Sequence, residues 1–189
     1  MIRIGIIGDI GSGKTFVAKN FGHPVFNADN EVAKLYKSDK KVFNQLKKIL
    51  PKYFKSFPID KKYILEAILE NELNLKKIVK IVHKEVKKKM NIFLKKNKKH
   101  KIVILDIPLL LENKINKKKD ILVFVSSKKK EILKRLKKRK NYNPKIIKKF
   151  KNIQLSNKTK KKKAQYIIEN DFTKKTIKKN IKLMLKKIF

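Results

Sequence analysis

A chain of 189 residues is long enough for one domain with its own core, and the lack of cysteine excludes disulfides, thiolate metal sites and a cysteine nucleophile. The formal net charge of +39 comes almost entirely from lysines on nearly every polar segment, unlike the concentrated, arginine-using face of a DNA or RNA binder. We therefore expect no specific nucleic-acid partner. No apolar run could span a membrane, and the chain opens on a strand-like segment, so we expect a soluble, cytoplasmic protein without a membrane partner.

The first predicted elements are a strand, a glycine-rich loop and a helix. Ile2–Ile7 is a short run of β-branched residues, and Gly8–Thr15 follows it directly. The next residues, Lys14–Phe21, have the pattern of a helix. Pro24–Phe26 then forms a brief second strand, after which a polar turn leads into another helix.

A long stretch of helical pattern follows, from about Asp39 to Asn97. Its apolar residues recur at helical spacing in three stripes, which begin at Val42, Ile64 and Ile78. Asp60 is the predicted N-cap of the second of these helices.

Sheet character returns in the second half of the chain. The apolar runs are Lys101–Leu105, which closes on Asp106, then Ile121–Val125 and Tyr166–Ile168. Between and after them we predict a helix at Lys128–Lys140 capped by Ser126 and Ser127, a helix beginning at Asn143-Pro144, a turn at Thr159–Lys163 and a last helix at Thr173–Ile188.

The alternation of strands and helices predicts an α/β fold with a parallel sheet that helices cover on both faces. The all-helical stretch separates two segments of sheet character, so it is predicted to be an insertion. We assign residues 1–28 and 98–189 to the core and residues 29–97 to a helical insert.

The clearest chemical motif is Gly8–Thr15, which satisfies G-x-x-x-x-G-K-[ST]. Its glycines let backbone N–H groups turn toward a phosphate, and the following helix adds its positive end. Lys14 can reach the β- and γ-phosphates of a nucleotide, and Thr15 can offer a hydroxyl to Mg²⁺. The position of the motif between a strand and a helix favours a site for ATP and Mg²⁺ over an idle glycine turn.

Other segments follow this P-loop in an order and spacing that resemble the dephospho-coenzyme A kinase family, from Ile2 to about Asn170. These segments are Pro24–Asp29, Ile81–His83, Leu105–Glu112, Arg135–Arg139, Gln154 with Lys158, and Ala164–Asn170. The resemblance implies transfer of the γ-phosphoryl group of ATP to the ribose 3′-hydroxyl of dephospho-coenzyme A. It also implies a three-layer P-loop kinase fold with a helical substrate-binding insert and a lid at about residues 137–158.

Two carboxylates are candidates for the chemistry. Asp29 follows the second strand, where it could accept the proton of the acceptor hydroxyl, or it could be a helix N-cap. Asp106 ends a strand, where P-loop folds place a carboxylate facing Mg²⁺, or it could be a strand-end cap. The family usually has a carboxylate in place of Asn27, which leaves Asp29 as the candidate base.

Arg139 lies where the family's lid begins. Only Arg3, Arg135 and Arg139 are arginine among the 54 basic residues. A guanidinium grips phosphate in a planar, bidentate way that an ammonium cannot copy. We therefore predict that Arg139 neutralises the transferring phosphoryl group and that Arg135 is structural, although both could be ordinary surface charges.

The resemblance implies two further sets of binding residues. The ATP-binding set is Gly8, Gly11, Ser12, Gly13, Lys14, Thr15, Phe16 and Arg139. The acceptor-binding set is Asp29, His83, Lys87, Pro108, Leu109 and Glu112. The chain departs from the family pattern at Ala33 and Lys84, where the family tends to have a basic residue and a proline.

Two other functions share parts of this pattern. A nucleoside or nucleoside-monophosphate kinase would have the same P-loop and lid, and a nucleic-acid-binding ATPase would have the P-loop and the charge. The sequence does not determine the oligomeric state or the preferred nucleotide donor.

Overall fold

The computed structural model describes residues 1–139 and 142–189. These residues form two compact units. The sheet unit consists of Met1–Asn27, Leu94–Tyr142 and Ile153–Phe189, and the helical unit consists of Ala28–Phe93 and Asn143–Asn152.

The sheet unit is built on a parallel sheet of five strands in the order β2-β3-β1-β4-β5. The strands are β1 (Ile2–Gly8), β2 (Val25–Asn27), β3 (Ile102–Asp106), β4 (Ile121–Ser126) and β5 (Tyr166–Glu169). Three of them are almost wholly buried, as expected for a parallel sheet with both faces covered. The predicted α/β class is confirmed.

The helices agree in place with most of those predicted. They are α1 (Lys14–Lys19), α2 (Ala28–Ser38), α3 (Lys40–Ile49), α4 (Lys61–Glu70), α5 (Glu72–Lys96), α6 (Lys129–Lys137), α7 (Pro144–Asn152), α8 (Asn157–Lys163) and α9 (Lys174–Leu185). Of these, α1, α6, α8 and α9 belong to the sheet unit. In the described part of the chain, no helix is long and apolar enough to cross a membrane.

One hydrophobic cluster of the sheet unit lies on one face of the sheet. Alternate residues of the strands, among them Ile4 and Ile6 of β1 and Val123 and Val125 of β4, pack there against α1 and α9. Since side chains alternate along a strand, Phe124 points to the opposite face. The ammonium of Lys161 in α8 lies 5.5 Å from the centre of its ring, so α8 covers that second face.

The helical unit confirms the local predictions made for it. Val42, Ile64 and Ile78, which begin the three apolar stripes, are buried. Asp60 is the N-cap of α4, since its carboxylate accepts a hydrogen bond from the N–H of Lys62 at 2.8 Å. Within this unit α2 packs on α3 and α4 packs on α7. Helix α7, at Pro144–Asn152, falls within the predicted lid.

Two local predictions in the second half of the chain are wrong. Residues 159–163 are not a turn, because Ser156 caps α8 by accepting from the N–H of Thr159 at 3.1 Å and lysine favours helices. Ser126 ends β4, and Ser127 does not cap α6, which has no side-chain cap. The hydroxyl of Ser127 instead donates to the carbonyl of Ser12 at 2.9 Å.

Candidate active site

The carboxyl edge of the sheet gathers the chemical groups of the sheet unit. β1 ends at Gly8, where the P-loop begins, and β3 ends at Asp106. The register of β2 on β3 pairs Asn27 with Asp106. Open parallel sheets bind ligands at this edge, next to the strand where the chain reverses direction across the sheet. β1 has that position here, between β3 and β4.

Gly11 and Gly13 are P-loop positions that require glycine. Gly13, which precedes α1, has φ +85°, and Gly11 has φ +82°, a region that favours glycine over residues with a Cβ. A Cβ on Gly13 would collide with the side-chain amide of Asn170 and lie 2.7 Å from the ring of Phe172. A Cβ on Gly11 would lie 2.9 Å from the side chain of Leu136 in α6. The loop is therefore packed tightly on both sides.

Two neighbouring strands anchor the middle of this loop. The carbonyl of Ser12 accepts hydrogen bonds from the Ser127 hydroxyl at 2.9 Å and from the Asn170 amide at 2.8 Å. Ser127 directly follows β4 and Asn170 directly follows β5. The buried hydroxyl of Ser12 itself has no hydrogen-bond partner among the described residues. Preorganised polar groups of this kind fit a loop that cradles an anion.

Lys14 lies over the start of its own loop. Its ammonium donates to the carbonyl of Asp9 at 2.8 Å and lies 3.4 Å from the carbonyl of Gly8. The carboxylate of Asp9 accepts from the N–H of Ile10 at 2.7 Å, so it is held by the loop backbone. A lysine has four rotatable side-chain bonds, and Lys14 can therefore move from these carbonyls to a phosphate.

The residues predicted to bind a metal ion lie together. The hydroxyl of Thr15 donates to Oδ2 of Asp106 at 2.6 Å, and the amide of Asn27 donates to the same oxygen at 2.5 Å. Asp106 is 3% exposed. Hydroxyl and carboxylate oxygens are the donors that Mg²⁺ prefers. The described residues contain no group of three or more His, Cys, Asp or Glu that could hold a metal ion.

α6 contributes an arginine to the wall beside the P-loop. The guanidinium of Arg135 lies 4.1 Å from the centre of the Phe172 ring, a cation–π contact. Phe172 has φ +66° and lies next to Gly13. Arg139 follows α6, is exposed, and its N–H donates to the carbonyl of Leu136 at 3.1 Å. Lys140 and Asn141, which belong to the predicted lid, lie outside the described residues.

The residues predicted to bind the acceptor are divided between the two units. Asp29 is in the first turn of α2, in the helical unit, and is not the flanking residue that an N-cap occupies. His83 and Lys87 are also in the helical unit, one turn apart on α5, which places them on one face of that helix. Pro108 and Leu109 are in the sheet unit, in the turn after β3, where Leu109 is buried.

Glu112 lies in the same turn segment, and one of its partners is a buried lysine. Its Oε1 accepts from the N–H of Leu155 at 2.9 Å and lies 3.2 Å from the ammonium of Lys160. Lys160 was not among the predicted site residues. In a chain with so many lysines nothing in the sequence separates it from its neighbours, and only its burial does.

Comparison with known proteins identifies the family of this chain. The family model described as dephospho-CoA kinase matches residues 2–176. The chain belongs to the dephospho-CoA kinase family. Among curated relatives, the dephospho-CoA kinase of Wolbachia pipientis wMel is 33% identical over 184 residues, covering 95% of this chain and 94% of the relative. That of Fusobacterium nucleatum is 34% identical over 178 residues and covers 89% of each chain. This membership supports ATP-dependent phosphorylation of dephospho-CoA to CoA.

Solved structures agree with the fold. A protein from Thermus thermophilus superposes with a TM-score of 0.76 at 24% identity, covering 100% of this chain and 98% of that one. The dephospho-CoA kinase from Campylobacter jejuni superposes with a TM-score of 0.62 at 20% identity, covering 98% and 96%. The predicted P-loop kinase fold is confirmed.

Proposed function

We propose that this dephospho-CoA kinase binds ATP through Gly8–Thr15 and phosphorylates the ribose 3′-hydroxyl of dephospho-CoA. The observation that carries the proposal is the packed P-loop, in which Ser12 is anchored from β4 and β5 and Lys14 lies over the loop. Phosphoryl transfer needs little covalent help from a protein. Catalysis therefore consists of positioning the two substrates and neutralising charge.

Thr15 and Asp106 are the proposed ligands of Mg²⁺. An ion held by these two residues would neutralise negative charge that develops on the phosphates during the transfer. The protein holds the two oxygen ligands, the Thr15 hydroxyl and the Asp106 carboxylate, next to each other, because the hydroxyl donates to Oδ2 of Asp106. The Asn27 amide donates to the same carboxylate oxygen. Unlike a second carboxylate at this position, this amide adds no negative charge beside Asp106.

Asp29 is the proposed base. It lies two residues beyond the end of β2 and is a carboxylate, whereas Asn27 cannot take a proton. Arg139 is the proposed cation for the transferring phosphoryl group, within a lid at about residues 137–158. Phe16 completes the proposed ATP-binding residues. The acceptor-binding residues are proposed to be Asp29, His83, Lys87, Pro108, Leu109 and Glu112.

A coupled ADP-release assay with a small panel of acceptors tests the function. Dephospho-CoA should support turnover, whereas cytidine and uridylate should not, since these two would be acceptors of a nucleoside or nucleoside-monophosphate kinase. The Lys14→Ala variant should lose about 10²–10³ in turnover, as removal of a preorganised charge stabiliser does. Equal turnover with cytidine or uridylate would overturn the acceptor assignment. Near-parental activity of a folded Lys14→Ala variant would exclude the P-loop from the mechanism.

The absence of a specific nucleic-acid partner is part of the proposal. Scattered lysines should bind duplex DNA weakly and without sequence preference, and about 0.2 M salt should abolish most of the binding, because each phosphate contact releases counterions. Filter binding at two salt concentrations measures this. Tight, sequence-selective binding at the higher salt, with ATP turnover stimulated by DNA, would favour the nucleic-acid-binding ATPase instead.

A further inference from the structure

Lys160 of α8 is a buried cation. It is 1% exposed, and no other lysine in residues 1–139 and 142–189 is buried. Taking an ammonium out of water is costly unless it is paired and hydrogen-bonded. The buried ammonium therefore needs polar partners. Its presence also needs an explanation, because an apolar side chain could be buried at this position at a lower cost in free energy.

Its ammonium joins three separate segments of the sheet unit. It lies 3.2 Å from Oε1 of Glu112, donates to Oε1 of Gln154 at 3.0 Å, and lies 3.4 Å from the carbonyl oxygen of Gly8. The Glu112 oxygen is itself held by the N–H of Leu155 at 2.9 Å. The charge of Lys160 is thus balanced, and its third contact goes to the first residue of the P-loop.

The carbonyl of Gly8 is also a contact of Lys14, at 3.4 Å. The two ammonium groups differ in their freedom to move. Lys14 is only partly buried and must leave this carbonyl to reach a phosphate, whereas Lys160 is enclosed and held by two side chains. If Lys14 moves to a nucleotide, the two side chains that hold Lys160 would keep its ammonium near the Gly8 carbonyl.

We propose that Lys160 is a positioning residue for the phosphoryl transfer, with Glu112 as its counter-ion. It acts through Gly8: by holding that carbonyl it fixes the first turn of the P-loop, and so the direction of the loop N–H groups, while Lys14 is engaged with ATP. The inference rests on the proposed function, in which this loop binds ATP. A purely structural pair would stabilise the fold equally well without influencing the nucleotide.

A double variant separates these two roles. Lys160→Met alone leaves Glu112 buried without its partner and should lower the melting temperature. Lys160→Met with Glu112→Gln removes both charges, and it should recover most of that loss. Its affinity for ATP with Mg²⁺ should nevertheless stay about 10- to 100-fold weaker than the parent's, by analogy with the loss found when residues that orient the ligands of a metal ion are removed. ATP affinity is measured without dephospho-CoA, so a contact of Glu112 with the acceptor does not influence it.

The buried pair of Arg3 with Asp120 provides the matched control. Its atoms are 2.9 Å apart, it is buried in the same unit, and it lies at the amino-terminal ends of β1 and β4, away from the P-loop. Arg3→Met should lower the melting temperature, and Arg3→Met with Asp120→Asn should recover part of it. Both variants should keep the parental ATP affinity and turnover.

The outcomes decide between the two roles. A double variant at Lys160 and Glu112 with parental ATP affinity would overturn the proposal, since the pair would then be structural. A double variant that does not fold would overturn it too, because it would assign the pair to folding. If the parent binds ATP but does not phosphorylate dephospho-CoA, the proposed function fails, and the ATP affinities of the variants still test Lys160.

Discussion

Replacing Asp106 with asparagine removes one charge at the proposed metal site and keeps the size of the side chain. In the structure, Oδ2 of Asp106 accepts from Thr15 at 2.6 Å and from Asn27 at 2.5 Å. The amide oxygen of asparagine can accept both hydrogen bonds. Asp106→Asn should therefore fold, with its P-loop and β2 still joined to β3.

The expected loss of stability follows from these two hydrogen bonds. A hydrogen bond to a charged group contributes about 1.5–3 kcal/mol, and one between neutral groups about 0.5–1.5 kcal/mol. Weakening both hydrogen bonds therefore lowers the free energy of unfolding by about 2–3 kcal/mol. Part of this loss is offset because Asp106 is 3% exposed, and a neutral side chain is buried at a lower cost than a carboxylate. We expect the free energy of unfolding without ATP to fall by less than about 2 kcal/mol.

Turnover should fall much further than stability. A carboxylate ligand that is lost from a preorganised charge site costs about 10²–10³ in rate, or about 2.7–4 kcal/mol of transition-state stabilisation. The assay is coupled ADP release with dephospho-CoA over a range of Mg²⁺ concentrations, alongside thermal unfolding without ligands. The Mg²⁺ concentration at half-maximal rate should rise in the variant.

A second aspartate provides the control for this substitution. Asp39 caps α3 by accepting from the N–H of Val42 at 3.0 Å, and asparagine caps a helix about as well. Asp39→Asn should change neither turnover nor the dependence on Mg²⁺. If Asp106→Asn matches the parent in both, Asp106 is only a strand-end cap and the proposed metal site is wrong.

Three further substitutions test other parts of the proposal. Asp29→Asn should keep the melting temperature within a few degrees and the affinity for ATP, and lose most of the turnover, whereas full activity would exclude Asp29 as the base. Arg139→Lys keeps the charge but loses the bidentate contact with phosphate, so turnover should fall about tenfold or more while the affinity for ATP changes less. If the variant turns over like the parent, Arg139 is an ordinary surface residue. Gly13→Ala should lower the free energy of unfolding by about 2 kcal/mol or more, because φ +85° disfavours a residue with a Cβ and this Cβ would collide with Asn170 and Phe172. A melting temperature equal to the parent's would refute this packing argument.

Much of the fold and part of the site could be predicted from the sequence because the signals are local. Apolar runs marked the strands, helical spacing marked the buried stripes, and Asp60 marked the start of α4. The P-loop was predictable because its conformation requires glycine at Gly11 and Gly13. The carboxyl ends of parallel strands meet at one edge, so the ends of β1 and β3 were enough to bring Thr15 and Asp106 to the same point.

Other features could not be predicted, because they depend on which residues meet after folding. Ser127 and Ser12 are 115 residues apart, and nothing near Ser127 distinguishes a hydroxyl that donates to a distant carbonyl from one that caps the next helix. Residues 159–163 have the composition of a basic turn, and they form a helix whose Lys160 is buried.

The sequence alone determined the nucleotide-binding loop, the α/β class and the family pattern, since each rests on residue types at short spacing that have few alternative conformations. Only the tertiary structure determines which of the many lysines is buried. The contact of Lys160 with Gly8 spans 152 residues, and the energy that permits it comes from Glu112 and Gln154, on two other segments. A buried charge is stable only where several distant partners converge on it, and that convergence is a property of the folded chain.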